Sequence, residues 1–113
     1  MLNHIVLSGN LGNDPEIFYN SEGQPVANFN LAFRAGKKKT GWIRVTCFNK
    51  TAGIAEQYLK KGDRIAVSGP LDFHQWETNE GAKRREIQMI GNSIEFIKVK
   101  GAEGGSGDDE TPF

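Results

Sequence analysis

A chain of 113 residues with 37 % hydrophobic and 25 % charged side chains has the length for one domain around a modest core. No apolar run approaches 18 residues, which excludes a membrane-crossing helix, and the opening MLNHIVLSGN lacks the basic start and long apolar run of a secretory signal. The net charge of zero hides a segregation: four of the 14 acids and none of the 14 bases lie in residues 101–113, so residues 1–100 carry about +4. A basic body suits a polyanion, and an acidic end suits a basic partner or the body itself.

Residues 2–11, LNHIVLSGNL, read as a strand that is apolar on both faces through Ile5, Val6 and Leu7. Such a strand is usually covered twice, so we expect His4, Ile5, Val6 and Leu7 to build a subunit contact. GNDPE and NSEGQP supply turns. VANFNLAFR, 26–34, alternates: Ala27, Phe29, Leu31 and Phe33 point one way, and Val26, Asn28, Asn30, Ala32 and Arg34 the other. AGKKKTG is a tight basic hairpin tip, and GWIRVTCFNK, 41–50, is the next strand. Cys47 stands alone on the apolar face of that strand, with Ile43 and Val45; it reads as a small buried hydrophobe in a reducing, cytoplasmic setting.

TAGIAEQYLKK, 51–61, places Ile54, Ala55, Tyr58 and Leu59 on one helical face, with Lys60 and Lys61 at its end and Gly62 as its stop. RIAVSGPL, 64–71, alternates again with Ile65, Val67 and Leu71 inward. TNEGAKRR is a second polar hairpin tip, and 84–99 a final strand. In that strand Ile87 and Met89 have odd register but Ile94 and Phe96 even, so a bulge or bend is expected at Gly91-Asn92-Ser93. Three strands, one short helix and two strands make an all-β chain that fits a five-stranded Greek-key barrel of the oligonucleotide-binding (OB) type, with extended hairpins. A generic α+β sandwich is the rival.

One face of 41–50 suits neither a core nor plain solvent. Trp42, Arg44, Thr46 and Phe48 mix two large aromatics with a cation. Nucleobases stack on aromatics without their sequence being read, and cations between such platforms neutralise phosphate. The alternative is that these rings pack under a loop or in a subunit interface. Trp76, at the end of DFHQW, and two basic hairpin tips (Lys37, Lys38 and Lys39; Lys83, Arg84 and Arg85) favour the walls of a groove for a charged strand. Arg34, Arg44, Lys50 and Lys61 join those six as expected phosphate contacts.

The catalytic inventory is thin. His4 and His74 have no ligand partners at metal spacing, Cys47 has no nucleophile signature, and the G-x-x-G of LSGNLG lacks a strand-to-helix context. We read no enzyme, no cofactor and no metal. The expected organisation is a binding domain over 1–100, a Gly-rich linker over 101–107 and an acidic tip over 108–113. Composition predicts disorder after residue 100, and Asp108, Asp109 and Glu110 beside Pro112 and Phe113 suit a pocket rimmed by Lys or Arg.

The ordered set LNHIVLSGNLGNDPEIFY, PVANFNLAF, WIRVTCFNK, AEQYLKKGDRIAVSGPL and DDETPF closely resembles the bacterial single-stranded DNA-binding protein (SSB) family from residue 2 to about 98 and again over the last six residues. The resemblance implies an OB fold, a homotetramer, sequence-tolerant binding of single-stranded DNA in replication, recombination and repair, and a place in the cytoplasm with the nucleoid. It matches the family's stacking aromatics to Trp42, Phe48 and Trp76, and its partner-binding tip, which meets replication and repair proteins, to the end of this chain. Members with a further stacking Trp carry it where this chain has KKK, so that loop is expected to bring charge instead. The chain also differs in a shorter hairpin there, in Asp72, His74 and Gln75 before Trp76, and in ending Thr-Pro-Phe rather than Ile-Pro-Phe. A protein-interaction module whose aromatics form a protein interface is the rival function. An RNA-binding cold-shock-like barrel would need an aromatic-rich strand that is not present.

Overall fold

A computed structural model describes residues 1–98. Nine elements follow one another: β1 (Ile5–Leu11), β2 (Glu16–Tyr19), β3 (Pro25–Gly36), β4 (Lys39–Phe48), α1 (Asn49–Tyr58), β5 (Arg64–Gly69), β6 (Leu71–Glu77), β7 (Lys83–Ile90) and β8 (Ser93–Lys98). The strands form one sheet in the order β6-β7-β4-β3-β1-β5-β8, with β2 added beside β3. β5, next to last in that order, runs through Pro70 straight into β6, the first, and the Ile90 N–H at the end of β7 donates to Pro70 O (2.9 Å), so the sheet curls into a barrel. A barrel with one helix between its third and fourth long strands is the OB arrangement. No helix among the described residues is long and apolar enough to cross a membrane.

The inside of the barrel is what alternation dictates. Ala27, Phe29 and Leu31 of β3, Val45 and Cys47 of β4, Ile65 and Val67 of β5, and Met89 of β7 are buried. Ile5, Leu7, Ile17, Ile43 and Ile94 pack against them. α1 closes one end with Ala52, Ala55 and the following Leu59. Asn49 makes the turn from β4 into α1 at φ 50, a left-handed conformation that asparagine tolerates better than most residues.

The structure departs from the alternation reading at several points. β1 begins at Ile5, not Leu2; ahead of it the Asn3 side chain bridges to β6, its amide donating to Leu71 O (3.0 Å) and its Oδ1 accepting from Leu71 N–H (2.9 Å). His4 therefore precedes the strand and is exposed. α1 spans 49–58 rather than 51–61. Asp63 ends it by accepting the Lys60 N–H at Oδ2 (2.9 Å), which a continuing helix would have used internally. The chain then turns at Gly62, φ 94. Tyr58 is exposed, edge-on to Phe96 with ring centres 6.1 Å apart, and Ala52 takes the buried position instead. The expected break at Gly91 is present and divides 84–99 into β7 and β8. Gly91 packs where a side chain would collide with Cys47, Val45 and Val67. Ile87 shares a face with Met89, yet is 53 % exposed against 0 %, because at that point the β6–β7 hairpin has left the barrel.

Candidate nucleic-acid interface

Paired residues in neighbouring strands point to the same side of a sheet, so the register defines the outward face. β3 and β4 set Val26 opposite Phe48, Asn28 opposite Thr46, Asn30 opposite Arg44, and Ala32 opposite Trp42. β4 and β7 run parallel, with Arg44 beside Gln88. β6 and β7 put Asp72 opposite Gln88, His74 opposite Glu86, and Trp76 opposite Arg84. One continuous face thus carries Trp42, Arg44, Thr46, Phe48 and Trp76. All three aromatics matched by resemblance stand on it, half-exposed, with Trp42 the most open at 59 %.

The middle of the face is polar and fixed. Thr46 is buried and its hydroxyl donates to Asn28 Oδ1 (2.9 Å); it also lies 3.1 Å from Gln88 Oε1, whose amide Nε2 points to Asp72 Oδ2 at 3.5 Å. This chain of contacts ties β3, β4, β7 and β6 together beneath any bound strand. Arg44 is half-buried, and its Nε has no hydrogen-bond partner among the described residues. It lines a cleft of about 340 Å³ with Asn13, Glu16, Asn28, Phe29 and Asn30. His74 and Trp76 stack on each other with ring centres 5.3 Å apart, so the polar His74 supports the indole from the side.

The cations divide into three groups. Arg34, Lys37, Lys38 and Lys39 line a second cleft of about 480 Å³ under the β3–β4 hairpin, together with Ser8 and Asn10 of β1 and Arg64 of β5. No acid lines it. Arg64 opens RIAVSGPL and reads in the sequence only as the start of a strand; its place on this wall comes from the pairing of Asn10 with both Ala32 and Arg64. Lys50 lies in the first turn of α1, two residues beyond Phe48. Lys61 follows α1, and its backbone N–H donates to Asp14 Oδ1 (2.8 Å), which binds it to the loop that passes under Trp42. Third, the basic run at 83–85 is not a hairpin tip but the start of β7, and it alternates. Arg84 shares the aromatic face with Trp76. Lys83 and Arg85 point to the reverse side, where the Arg85 guanidinium sits 4.7 Å above the Phe73 ring.

The residues expected to build a subunit contact divide between the two sides of β1. Val6 is 65 % exposed on the outside of β1, while Ile5 and Leu7 turn toward the core. Asp108, Asp109, Glu110, Pro112 and Phe113 lie outside the described residues. Phe18, which the alternation pattern alone does not single out, stands on the same outward face: it pairs with Val26, which pairs with Phe48. Its signal is the period-2 pattern of EIFY, but turn chemistry on both sides masks so short a strand.

Among the described residues, no group of three His, Cys, Asp or Glu side chains is placed to hold a metal. Open aromatic platforms, fixed amides between them and basic walls describe a surface for an extended anionic polymer with flat groups, not a reaction centre.

Comparison with known proteins agrees with that class. The model of the single-strand binding protein family matches residues 2–97. Single-stranded DNA-binding protein 1 of Chlorobaculum tepidum is 35 % identical over 116 residues, covering 95 % of this chain and 72 % of that protein. Among solved structures, the Plasmodium falciparum SSB complex with single-stranded DNA superposes with a TM-score of 0.78 at 28 % identity, covering 87 % of this chain and 97 % of that one. The chain belongs to the single-strand binding protein family.

Proposed function

We propose that this protein binds and protects single-stranded DNA without regard to sequence, by stacking bases on Trp42, Phe48 and Trp76 and neutralising phosphates from the flanking cations. The observation that carries this reading is the register: three aromatics from β4 and β6, far apart in the chain, share one outward face with Arg44 and Arg84 among them. Each stacked base contributes ~1–3 kcal/mol whatever its identity. Arg34, Lys37, Lys38 and Lys39 extend the basic path around β1. Lys50 and Lys61 flank its ends, and Lys83 and Arg85 add field from the reverse side of the hairpin. It acts as a binding protein and not an enzyme, consistent with its family.

Replication, recombination and repair generate such strands, so the protein's place is in the cytoplasm at the nucleoid. A homotetramer built around the exposed outer side of β1, with Val6 at its centre and His4 at its edge, provides the second cover that this strand calls for. The acidic segment Asp108 to Phe113 recruits replication and repair proteins through its charge and the Phe113 ring. The deciding experiment is titration with polythymidine, duplex DNA and RNA, following Trp fluorescence. Strong quenching by polythymidine that weakens with salt, with little response to duplex, is expected. Equal binding to all three would overturn the preference for single-stranded DNA, and no binding or quenching with any of them would favour a protein interface on this face.

A further inference from the structure

Phe18 occupies a position that neither the core nor solvent explains. β2 pairs with β3 so that Phe18 is opposite Val26, and β3 pairs with β4 so that Val26 is opposite Phe48. The three side chains form one row on the outward face. The strands lie ~4.8 Å apart, so the two rings are rooted about 10 Å from each other. Val26, between them, is only 4 % exposed although it points away from the barrel, whereas Phe18 is 48 % and Phe48 43 % exposed. Among the described residues β2 pairs with no strand other than β3, so there the flank of Phe18 away from Val26 meets no further strand of the sheet.

We propose that Phe18 is a further stacking platform, continuing the surface of Phe48 across Val26 onto β2. This rests on the reading of the face as a binding site for single-stranded DNA. Charge argues that a base, not a phosphate, arrives there. In the next row Glu16 on β2 is aligned with Asn28 and Thr46, and Arg44 on β4 stands one row further on, opposite Asn30; Glu16 and Arg44 line the same cleft. Phosphates are drawn to the guanidinium and held off by the carboxylate, so the backbone follows β4. The bases then project toward β2, where Glu16 can accept from base N–H groups, the imide N–H of thymine included, and Phe18 offers a π-face.

A purely structural role, as a cover for Val26, predicts a different outcome. Two variants separate them. Phe18→Leu keeps an apolar cover but removes the π-face; affinity for a thymidine oligomer is expected to fall about five- to tenfold with little change in melting temperature. In the second, Trp42→Phe and Trp76→Phe keep the other platforms as rings, and Phe18→Trp makes position 18 the sole indole. Its fluorescence is expected to be quenched when polythymidine binds. An unquenched indole at position 18, in a protein that still binds, overturns the proposal even if Phe18→Leu is too unstable to test. So does parental affinity in Phe18→Leu. Failure of the natural protein itself to bind or to show quenching would remove the reading of the whole face, a result distinct from either.

Discussion

Gly12 lies directly under the indole of Trp42: a Cβ built on Gly12 would run into Cζ3 of that ring and come within 2.9 Å of Cη2. The glycine supplies no contact with a ligand, yet it sets where the ring rests. One side of the indole is seated on the loop after β1, and the rest stands open.

Gly12→Ala should therefore lower DNA affinity without unfolding the protein. The indole must rise or tilt to clear the methyl group, and a misplaced platform loses part of the ~1–3 kcal/mol that stacking supplies; about 1 kcal/mol is expected. The check is a polythymidine titration beside circular dichroism and the wavelength of Trp emission. Parental affinity with unchanged emission would show that the seat of Trp42 does not matter to binding.

The β6–β7 hairpin offers a test inside one dipeptide. Arg84 faces the aromatic side with Trp76, whereas Arg85 lies over Phe73 on the reverse. Arg84→Gln is expected to reduce the slope of log K against log salt by ~0.7, the value for one phosphate neutralised on a single strand. Arg85→Gln should leave that slope nearly unchanged. A combined Lys37, Lys38 and Lys39 to Gln variant should flatten it further, by ~0.7 for each phosphate that its lysines neutralise in the parent. Equal effects from the two arginines would mean that DNA wraps both faces of the hairpin.

That hairpin also shows where sequence reading reaches its limit. Period-2 alternation reports the side of each residue correctly for β3 and β4, because both strands are walled by the barrel along most of their length. It reports the side of Ile87 correctly too, but not its burial, since alternation carries no information on where a hairpin outgrows the barrel. The bend at Gly91 is legible because the hydrophobic register changes there. The end of α1 is not, because it depends on Asp63 capturing the Lys60 N–H from beyond the helix. Phe18 escapes for a similar reason: its partner Phe48 is 30 residues away, and only strand pairing brings the two into one row.

Burial of Cys47 gives the stability a pH dependence. Desolvation pushes the thiol up from its ordinary 9.0 to about 12, so the folded state keeps it neutral while the unfolded chain ionises above 9. Its stabilising effect is complete below pH 9 and is lost as pH rises from 9 toward 12, at about 1.4 kcal/mol per pH unit. Urea midpoints at pH 8, 9.5 and 10.5 should fall more steeply for the parent than for Cys47→Ala. The variant should be less stable at pH 8 because of the cavity left beside Val45 and Gly91. Parallel pH profiles would show that the thiol is not desolvated on folding.

The acidic end should separate two activities of one chain. Deleting residues 108–113 removes three carboxylates, Pro112 and Phe113, and none of the aromatic or basic groups of the DNA face. DNA affinity should stay level or rise slightly, because an acidic segment competes with phosphate for the basic walls. Capture of replication and repair proteins from a bacterial lysate should drop sharply. Phe113→Ala alone should reproduce most of that drop, since burying an aromatic side chain contributes about 1.5–3 kcal/mol. Thr111→Ile, which restores the ending common in the family, should leave DNA binding alone and raise partner capture if the residue before Pro112 touches the same pocket. Equal recovery of partners from the intact protein, the deletion and Phe113→Ala would assign the acidic segment to solubility and leave the barrel as the whole of the function.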